Sequence, residues 1–283
     1  LKRDKFVLTL QPLHGVDAIR SLRWVPKRLL RQFGMGCVDI RKEYSVVLNF
    51  NRKILSAEPI NELINQLIDA AEPPGENYRQ YLGASAIGSD CLRKTQYDWF
   101  CDPQFPGRIK DIFARGHFFE EVTRQHLIKA GFKFAPAERL EFLAADGLFR
   151  GHADGIIIDG PVVPGLLYPC CWEHKCLKDK GWKAIERDGL TGLYKTYAAQ
   201  VACYQAYLDV TNPAVFSVVN ADTCDRLHFL VPFDAQLAQM MSDRAVTIIE
   251  ATRAGELLDR IASTPDDWRC KMCSWQKRCW RLP

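Results

Sequence analysis

The chain has 283 residues, of which 47% are hydrophobic and 25% charged, with a formal net charge of +4. That is enough to bury a full core, in one large domain or one domain plus an extension. No apolar run approaches the ~20 residues that a membrane-spanning helix needs, and no signal peptide opens the chain, so a soluble, cytoplasmic protein without a membrane partner is expected. Eleven cysteines in a chain of this kind point to metal or cluster ligation rather than to disulfides.

Charge is unevenly spread. Residues 1–53 carry 12 Lys and Arg against 4 Asp and Glu, whereas the remainder carries 26 against 30. A basic arm on a slightly acidic body suits a polyanionic partner. Residues 1–75 read as a separately composed extension with a linker at 72–76. Strands are predicted over 6–10 and 44–50, with a basic amphipathic helix over 17–33 carrying Arg20, Arg23, Trp24, Lys27, Arg28 and Arg31. A further helix is predicted over 59–71.

A second region runs over 76–283. The run Ala84 to Tyr97 suggests a turn feeding a helix that starts near Cys91. A strong helix is predicted over 111–129, with Phe113, Phe118, Val122 and Leu127 as candidate core positions. It holds Arg115-Gly-His-Phe-Phe-Glu-Glu121. Arg150 to Asp159 reads as one strand and Trp172 to Leu177 as its partner, joined through a Pro/Gly-rich turn at 160–164. Alternation along a strand sends Glu173 and Lys175 to one side and His174 to the other. Asp154 on one strand and Glu173-x-Lys175 on its neighbour bring two carboxylates and an ammonium together. Carboxylates bind hard cations such as Mg²⁺ or Mn²⁺, which in turn hold phosphate oxygens. A lysine beside them can orient a water and offset charge during phosphoryl transfer.

Short polar and long helices follow over 178–187 and 190–208, then strands over 214–220 and 226–231 and a long helix over 234–262. Gln200 and Tyr204 lie four apart and share a helical face. The chain closes on Cys270-x2-Cys273-x5-Cys279. Three thiolates are one short of the four that hold a structural Zn²⁺ or an iron–sulfur cluster. The remaining cysteines (37, 101, 170, 171, 176, 203, 224) are most simply structural thiols. Lys and Arg between Cys270 and Arg281, with Trp275 and Trp280, could guide a strand by charge and stacking.

Gly151-His-x-Asp-Gly155 followed by Glu173-His-Lys175 resembles motifs II and III of the PD-(D/E)XK nucleases, in their RecB-like branch. Glu120 stands where such a family has the His or Glu of motif I, four residues after Gly116. Tyr197-x-x-Gln200-x-x-x-Tyr204 resembles the family's Gln-x-x-x-Tyr motif. Cys91 ahead of the nuclease region, with the three tail cysteines behind it, resembles the cysteine pattern of AddB and the CRISPR-associated RecB-like nucleases. The resemblance covers roughly residues 82–283.

It implies a restriction-endonuclease-like α/β fold: a mixed central sheet flanked by helices, with a cluster-bound C-terminal tail. It implies a metal-dependent deoxyribonuclease, an exonuclease on single-stranded DNA or DNA ends in recombination, repair or phage- or CRISPR-type processing. The alternatives are a structure-specific endonuclease of the same fold or a non-catalytic, cluster-bearing DNA-binding subunit. Glu120, Asp154, Glu173 and the main-chain carbonyl of His174 would hold Mg²⁺ or Mn²⁺, with His117 an alternative or supporting group. Lys175, Gln200 and Tyr204 would complete the catalytic set, and Arg139 and Arg150 would touch substrate. Cys91, Cys270, Cys273 and Cys279 would hold a 4Fe–4S cluster, with structural Zn²⁺ as the alternative. Some relatives form rings, so a homo-oligomer or a recombination partner protein is also implied, and a prokaryotic or phage origin.

Overall fold

In the computed structural model, residues 6–9, 23–26, 58–71, 80–101, 107–190 and 194–281 are described. The chain divides into two units, Leu1–Glu62 and Leu63–Pro283. In the first, strands β1 (Phe6–Thr9) and β2 (Arg23–Pro26) pair antiparallel, with Phe6 opposite Pro26. Residues 23–26 are therefore not helical as expected. Trp24 and Val25 favour a pleated backbone, and Pro26 cannot donate within a helix. The rest of that expected helix, the strand over 44–50 and the linker over 72–76 lie outside the described residues. Helix α1 (Glu58–Ala71) forms as expected. Its stripe of Ile60, Leu63, Ile64, Leu67 and Ile68, at helical spacing, stays about half exposed.

The second unit is built on two mixed sheets. The larger has the order β10-β9-β8-β7-β4 and the smaller β3-β6-β5. Their strands are β3 (Leu82–Gly83), β4 (Lys133–Phe134), β5 (Glu141–Ala144), β6 (Phe149–His152), β7 (Gly155–Asp159), β8 (Cys170–Leu177), β9 (Ala214–Asn220) and β10 (Arg226–Val231). All of β9, Ala-Val-Phe-Ser-Val-Val-Asn, is buried. It pairs parallel with β8 and antiparallel with β10, and a strand covered on both faces needs such a continuous apolar run.

Around the sheets lie α2 (Ala84–Ile87), α3 (Leu92–Phe100), α4 (Gly107–Lys129), α5 (Asp179–Asp188), α6 (Lys195–Tyr207), α7 (Ala235–Arg253), α8 (Trp268–Lys271) and α9 (Gln276–Cys279). The main core joins Ile156, Cys171, Phe216 and Val218 of the large sheet to Ile185 of α5, Val201 and Cys203 of α6, and Ile248 and Ile249 of α7.

Three expectations are corrected here. The segment 150–159 is two strands in two sheets, because the chain crosses from β6 to β7 at Ala153 and Asp154. Phe113 and Phe118 are 48% and 64% exposed and not core. Helix α4 is rotated so that Thr123 is the side chain it fully buries, and its hydroxyl meets Nε2 of His174 at 3.2 Å. Helix α7 stops at Arg253 rather than 262. Gly255 takes φ +74° and the N–H of Glu256 returns to the Ala251 carbonyl at 2.8 Å, a left-handed glycine closure.

Gly151 and Gly155 bracket the crossing. A Cβ at Gly151 would stand 2.3 Å from Phe142 Cε1 and 2.6 Å from Tyr204 Cε1, and one at Gly155 2.8 Å from Phe134 Cδ1. These glycines are demanded by close packing on either side of Asp154. Gly151→Ala is expected to destabilise the domain by about 1–3 kcal/mol through overpacking, read as a lowered urea midpoint with unchanged slope.

Candidate active site

Asp154 stands where the chain leaves the small sheet for the large one. Its Oδ2 accepts a hydrogen bond from the main-chain N–H of His174 at 2.7 Å, which ties the crossing to the middle of β8. The flanking Ala153 is fully buried and its N–H bonds the Leu140 carbonyl at 2.8 Å. The carboxylate is thus fixed from both sides.

Strand β8 splits its side chains as alternation requires. Glu173 is 1% exposed, and its Oε1 accepts a short charge-assisted hydrogen bond from Lys175 Nζ. Its Oε2 is buried without a hydrogen-bond partner among the described residues. The His174 imidazole points to the opposite face, against Thr123. Only its main chain faces the site, so the imidazole itself is not brought to the carboxylates. Burial drops the His174 ring to about 3, helped by Lys175 and then His228, so the ring is neutral.

Glu120 reaches the same place from α4. Burial raises its pKa, Asp154 adds to the rise, and His117 opposes it. His117 Nδ1 lies 3.6 Å from Glu120 Oε2, with the imidazole itself 80% exposed. The arrangement puts His117 beside Glu120, at the rim. Burial pushes Glu173 up to about 8, with Asp154 contributing and Lys175 opposing. Burial also raises Asp154 against the pull of Lys175. Burial works against the Lys175 ammonium as well, yet Glu173 and Asp154 more than reverse this and the amine ends above its usual value. Three carboxyl groups and one ammonium thus lie near enough to shift one another's proton affinity, with burial the largest cause at each.

Helix α6 packs beside this cluster. Lys175 Nζ lies 5.4 Å from the centre of the Tyr197 ring, over its face. Gln200 Nε2 donates to the Tyr204 hydroxyl at 2.9 Å, and both side chains are buried. Burial raises the Tyr204 phenol strongly, with Glu173 next in effect, so the hydroxyl is a neutral donor. Every residue expected to be catalytic is thus gathered at one place, with Glu120 added from α4. The Thr123 clamp on His174 and the cation–π contact of Tyr197 were not expected, since a buried threonine or tyrosine on a helix carries no signal of its partner. Arg150 donates to the Gly147 carbonyl at 2.6 Å and lies over the Tyr81 ring. Arg139 sits in a short 3-10 turn, Ala137–Arg139.

Carboxylates are the donors a hard divalent cation takes, and one oxygen of the buried Glu173 has no partner among the described residues. Among the described residues no three such groups are already drawn together as a ligand set. Lys175 occupies one Glu173 oxygen in the meantime.

The four cysteines of the expected cluster converge elsewhere. Cys91 caps the N-terminus of α3, accepting from the Lys94 N–H at 3.4 Å. Cys91, Cys270, Cys273 and Cys279 all line one cavity of about 670 Å³. Burial raises the Cys273 thiol, Cys91 adds to the rise, and Lys94 opposes it. The tail is also clamped directly to α3. Trp275 Nε1 donates to Asp98 Oδ1 at 2.7 Å, and the Trp275 and Tyr97 rings lie 5.8 Å apart. Among the described residues no three of these thiols are drawn together as a metal-ligand set. Of the other cysteines, Cys101, Cys170, Cys171 and Cys203 are buried and Cys224 is exposed.

No protein-family model and no curated protein sequence matches the chain. Among solved structures, an alkaline exonuclease (LHK-Exo) from Laribacter hongkongensis is similar with a TM-score of 0.44 and 14% identity, covering 67% of this chain and 93% of that one. The same exonuclease in complex with dAMP gives 0.43 at 14% identity and the same coverage. A structure of SSO0001 gives 0.43 at 12% identity, covering 78% of this chain and 95% of that one. Among the described residues no helix is long and apolar enough to cross a membrane.

The raised Glu173 carboxyl makes a signed prediction. Between its ordinary value of 4.5 and about 8 the folded state holds a proton that the unfolded state has released. Stability of the metal-free protein therefore falls as pH rises across that interval. Urea unfolding at both ends should show this decline, and Glu173→Gln should lessen it. Added Mn²⁺, which prefers the ionised carboxylates, should restore stability at the upper end.

Proposed function

We propose that this protein is a metal-dependent deoxyribonuclease that hydrolyses phosphodiester bonds, acting as an exonuclease on single-stranded DNA or DNA ends. The observation that carries the reading is the buried Glu173. One of its oxygens is held by Lys175 and the other has no partner, with Asp154 and Glu120 raising its pKa further. A structural ion pair needs one carboxylate, whereas here Asp154 and Glu120 add negative charge that raises the Glu173 carboxyl. A site that receives a cation needs all three.

One or two Mg²⁺ or Mn²⁺ ions, when bound, would supply the positive charge that holds phosphate oxygens and lowers the pKa of water. Glu120, Asp154, Glu173 and the main-chain carbonyl of His174 would be the ligands, with His117 beside Glu120. Lys175 Nζ, held beside Glu173, would orient the attacking water and face the charge that builds on the phosphate. Tyr197 keeps that ammonium over its ring, and the Gln200–Tyr204 pair holds a neutral hydroxyl at the pocket wall. The fold itself, a mixed α/β arrangement of two sheets with flanking helices, agrees with a restriction-endonuclease-like architecture. The order of the motifs along the chain supports the same reading.

Cys91, Cys270, Cys273 and Cys279 would hold a 4Fe–4S cluster that joins α3 to the tail. Cationic and aromatic side chains there, among them Arg278 and Trp275, would guide the strand.

The test is cleavage of end-labelled single-stranded DNA by anaerobically purified protein with Mn²⁺ or Mg²⁺. Wild type should shorten the label progressively. Lys175→Ala should lose about a hundredfold or more of the rate, the scale of removing one preorganised electrostatic group. Internal fragments in place of a terminal ladder would make the enzyme an endonuclease. No cleavage of single- or double-stranded DNA by cluster-loaded wild type would sink the catalytic reading.

A further inference from the structure

Of the three carboxyls at the candidate site, Asp154 and Glu173 stand on the sheet crossing and on β8, whereas Glu120 comes from α4. The ionic contact of Glu120 among the described residues is with His117, on the same helix. A partner on its own helix cannot fix how far Glu120 stands from the strand. That distance depends on how α4 sits on β8.

Thr123 follows Glu120 by three residues, about one helical turn. Thr123 and His174 are both buried, and the Thr123 hydroxyl lies 3.2 Å from His174 Nε2. His174 stands between Glu173 and Lys175, and its main-chain N–H is the donor to Asp154. It therefore meets the site through its backbone and α4 through its ring. Leu127, one turn further along α4, packs against the apolar cluster of Ile157, Cys170, Trp172 and Val215. Apolar contact is non-directional and lets a helix slide, whereas a hydrogen bond weakens steeply once its angle is lost. Arg115 also bonds the Cys176 thiol, but sulfur is a weak acceptor. The Thr123–His174 bond is the contact that indexes the helix on the strand.

We propose that the Thr123–His174 hydrogen bond sets where Glu120 stands relative to Asp154 and Glu173, which makes Thr123 a positioning residue for the bound cation. The inference rests on the metal-site reading given above and adds to it a residue that touches neither cation nor substrate. A hard cation accepts ligands over a narrow range of distances, so a carboxylate displaced with its helix becomes a weaker ligand. Thr123→Val, which keeps the shape and removes the hydroxyl, should weaken Mn²⁺ binding by about tenfold or more, the scale of losing a group that orients a ligand. Thr123→Ser, which restores a hydroxyl, should bring most of that affinity back.

The experiment measures Mn²⁺ binding to the full chain without DNA, from the electron paramagnetic resonance signal of the free ion. Wild type, Thr123→Val, Glu120→Gln and the double variant are compared. If Thr123 acts through Glu120, the further loss from Thr123→Val should largely vanish in the Glu120→Gln background. Equal losses in both backgrounds would overturn the inference, as would an unchanged affinity in Thr123→Val. A wild type that binds no Mn²⁺ overturns the metal-site reading, and this inference with it. Cleavage gives a second readout: excess Mn²⁺ should return most of the Thr123→Val rate, while Lys175→Ala stays slow. A Thr123→Val rate that stays low at saturating Mn²⁺ counts against the inference. Should Thr123→Val fail to fold, Thr123→Ala carries the same cycle.

Discussion

The hydrogen bond from the His174 N–H to Asp154 is what the rest of the structure turns on. It joins the point where the chain passes between two sheets to the centre of the strand that carries Glu173 and Lys175. A main-chain donor cannot rotate away, and a carboxylate that accepts from it is positioned without help from a flexible partner. Everything catalytic in the proposed reading is measured from this one contact. Gly151 and Gly155 are small because Phe142, Tyr204 and Phe134 press on the chain at either end of the crossing.

Around that contact the protein concentrates opposing forces. Burial alone would discharge both the carboxyls and the ammonium. The carboxylates keep Lys175 charged, while burial, aided at Glu120 and Glu173 by the charge of Asp154, keeps their own proton affinity high. Charge balance within the pocket is left incomplete by the protein's own groups. Such a pocket is poor as a stabilising device and well suited to a hard cation. The far side of β8 has no such conflict: His174 is neutral against Thr123, and Ser217 accepts from Trp172 Nε1 at 2.8 Å.

The strands over 214–220 and 226–231 were legible because each is a short run with a clear turn between them, and their bounds agree with the sequence reading. The spacing of Glu173, His174 and Lys175 was legible because strand alternation is rigid. The crossing at Ala153 and Asp154 was not. Gly-His-Ala-Asp-Gly keeps the composition of one strand, and only tertiary pairing assigns its halves to two sheets. Phe113 and Phe118 were misread because periodicity fixes which residues share a helical face but not which face meets the sheet. That choice rests with Thr123, whose hydroxyl finds an imidazole across the interface. Cys91 and the tail cysteines were legible as a pattern.

The clamp between α3 and the C-terminal region also bears on how the chain is made. Gln96 donates to the Glu256 carbonyl and accepts from the Leu258 N–H, while Asp98 waits for Trp275, 177 positions further on. These side chains belong to an early helix, and although Asp98 also pairs with Lys94 one turn away, their long-range partners exist only once the C-terminal region has been synthesised. Contacts so distant along the chain close late.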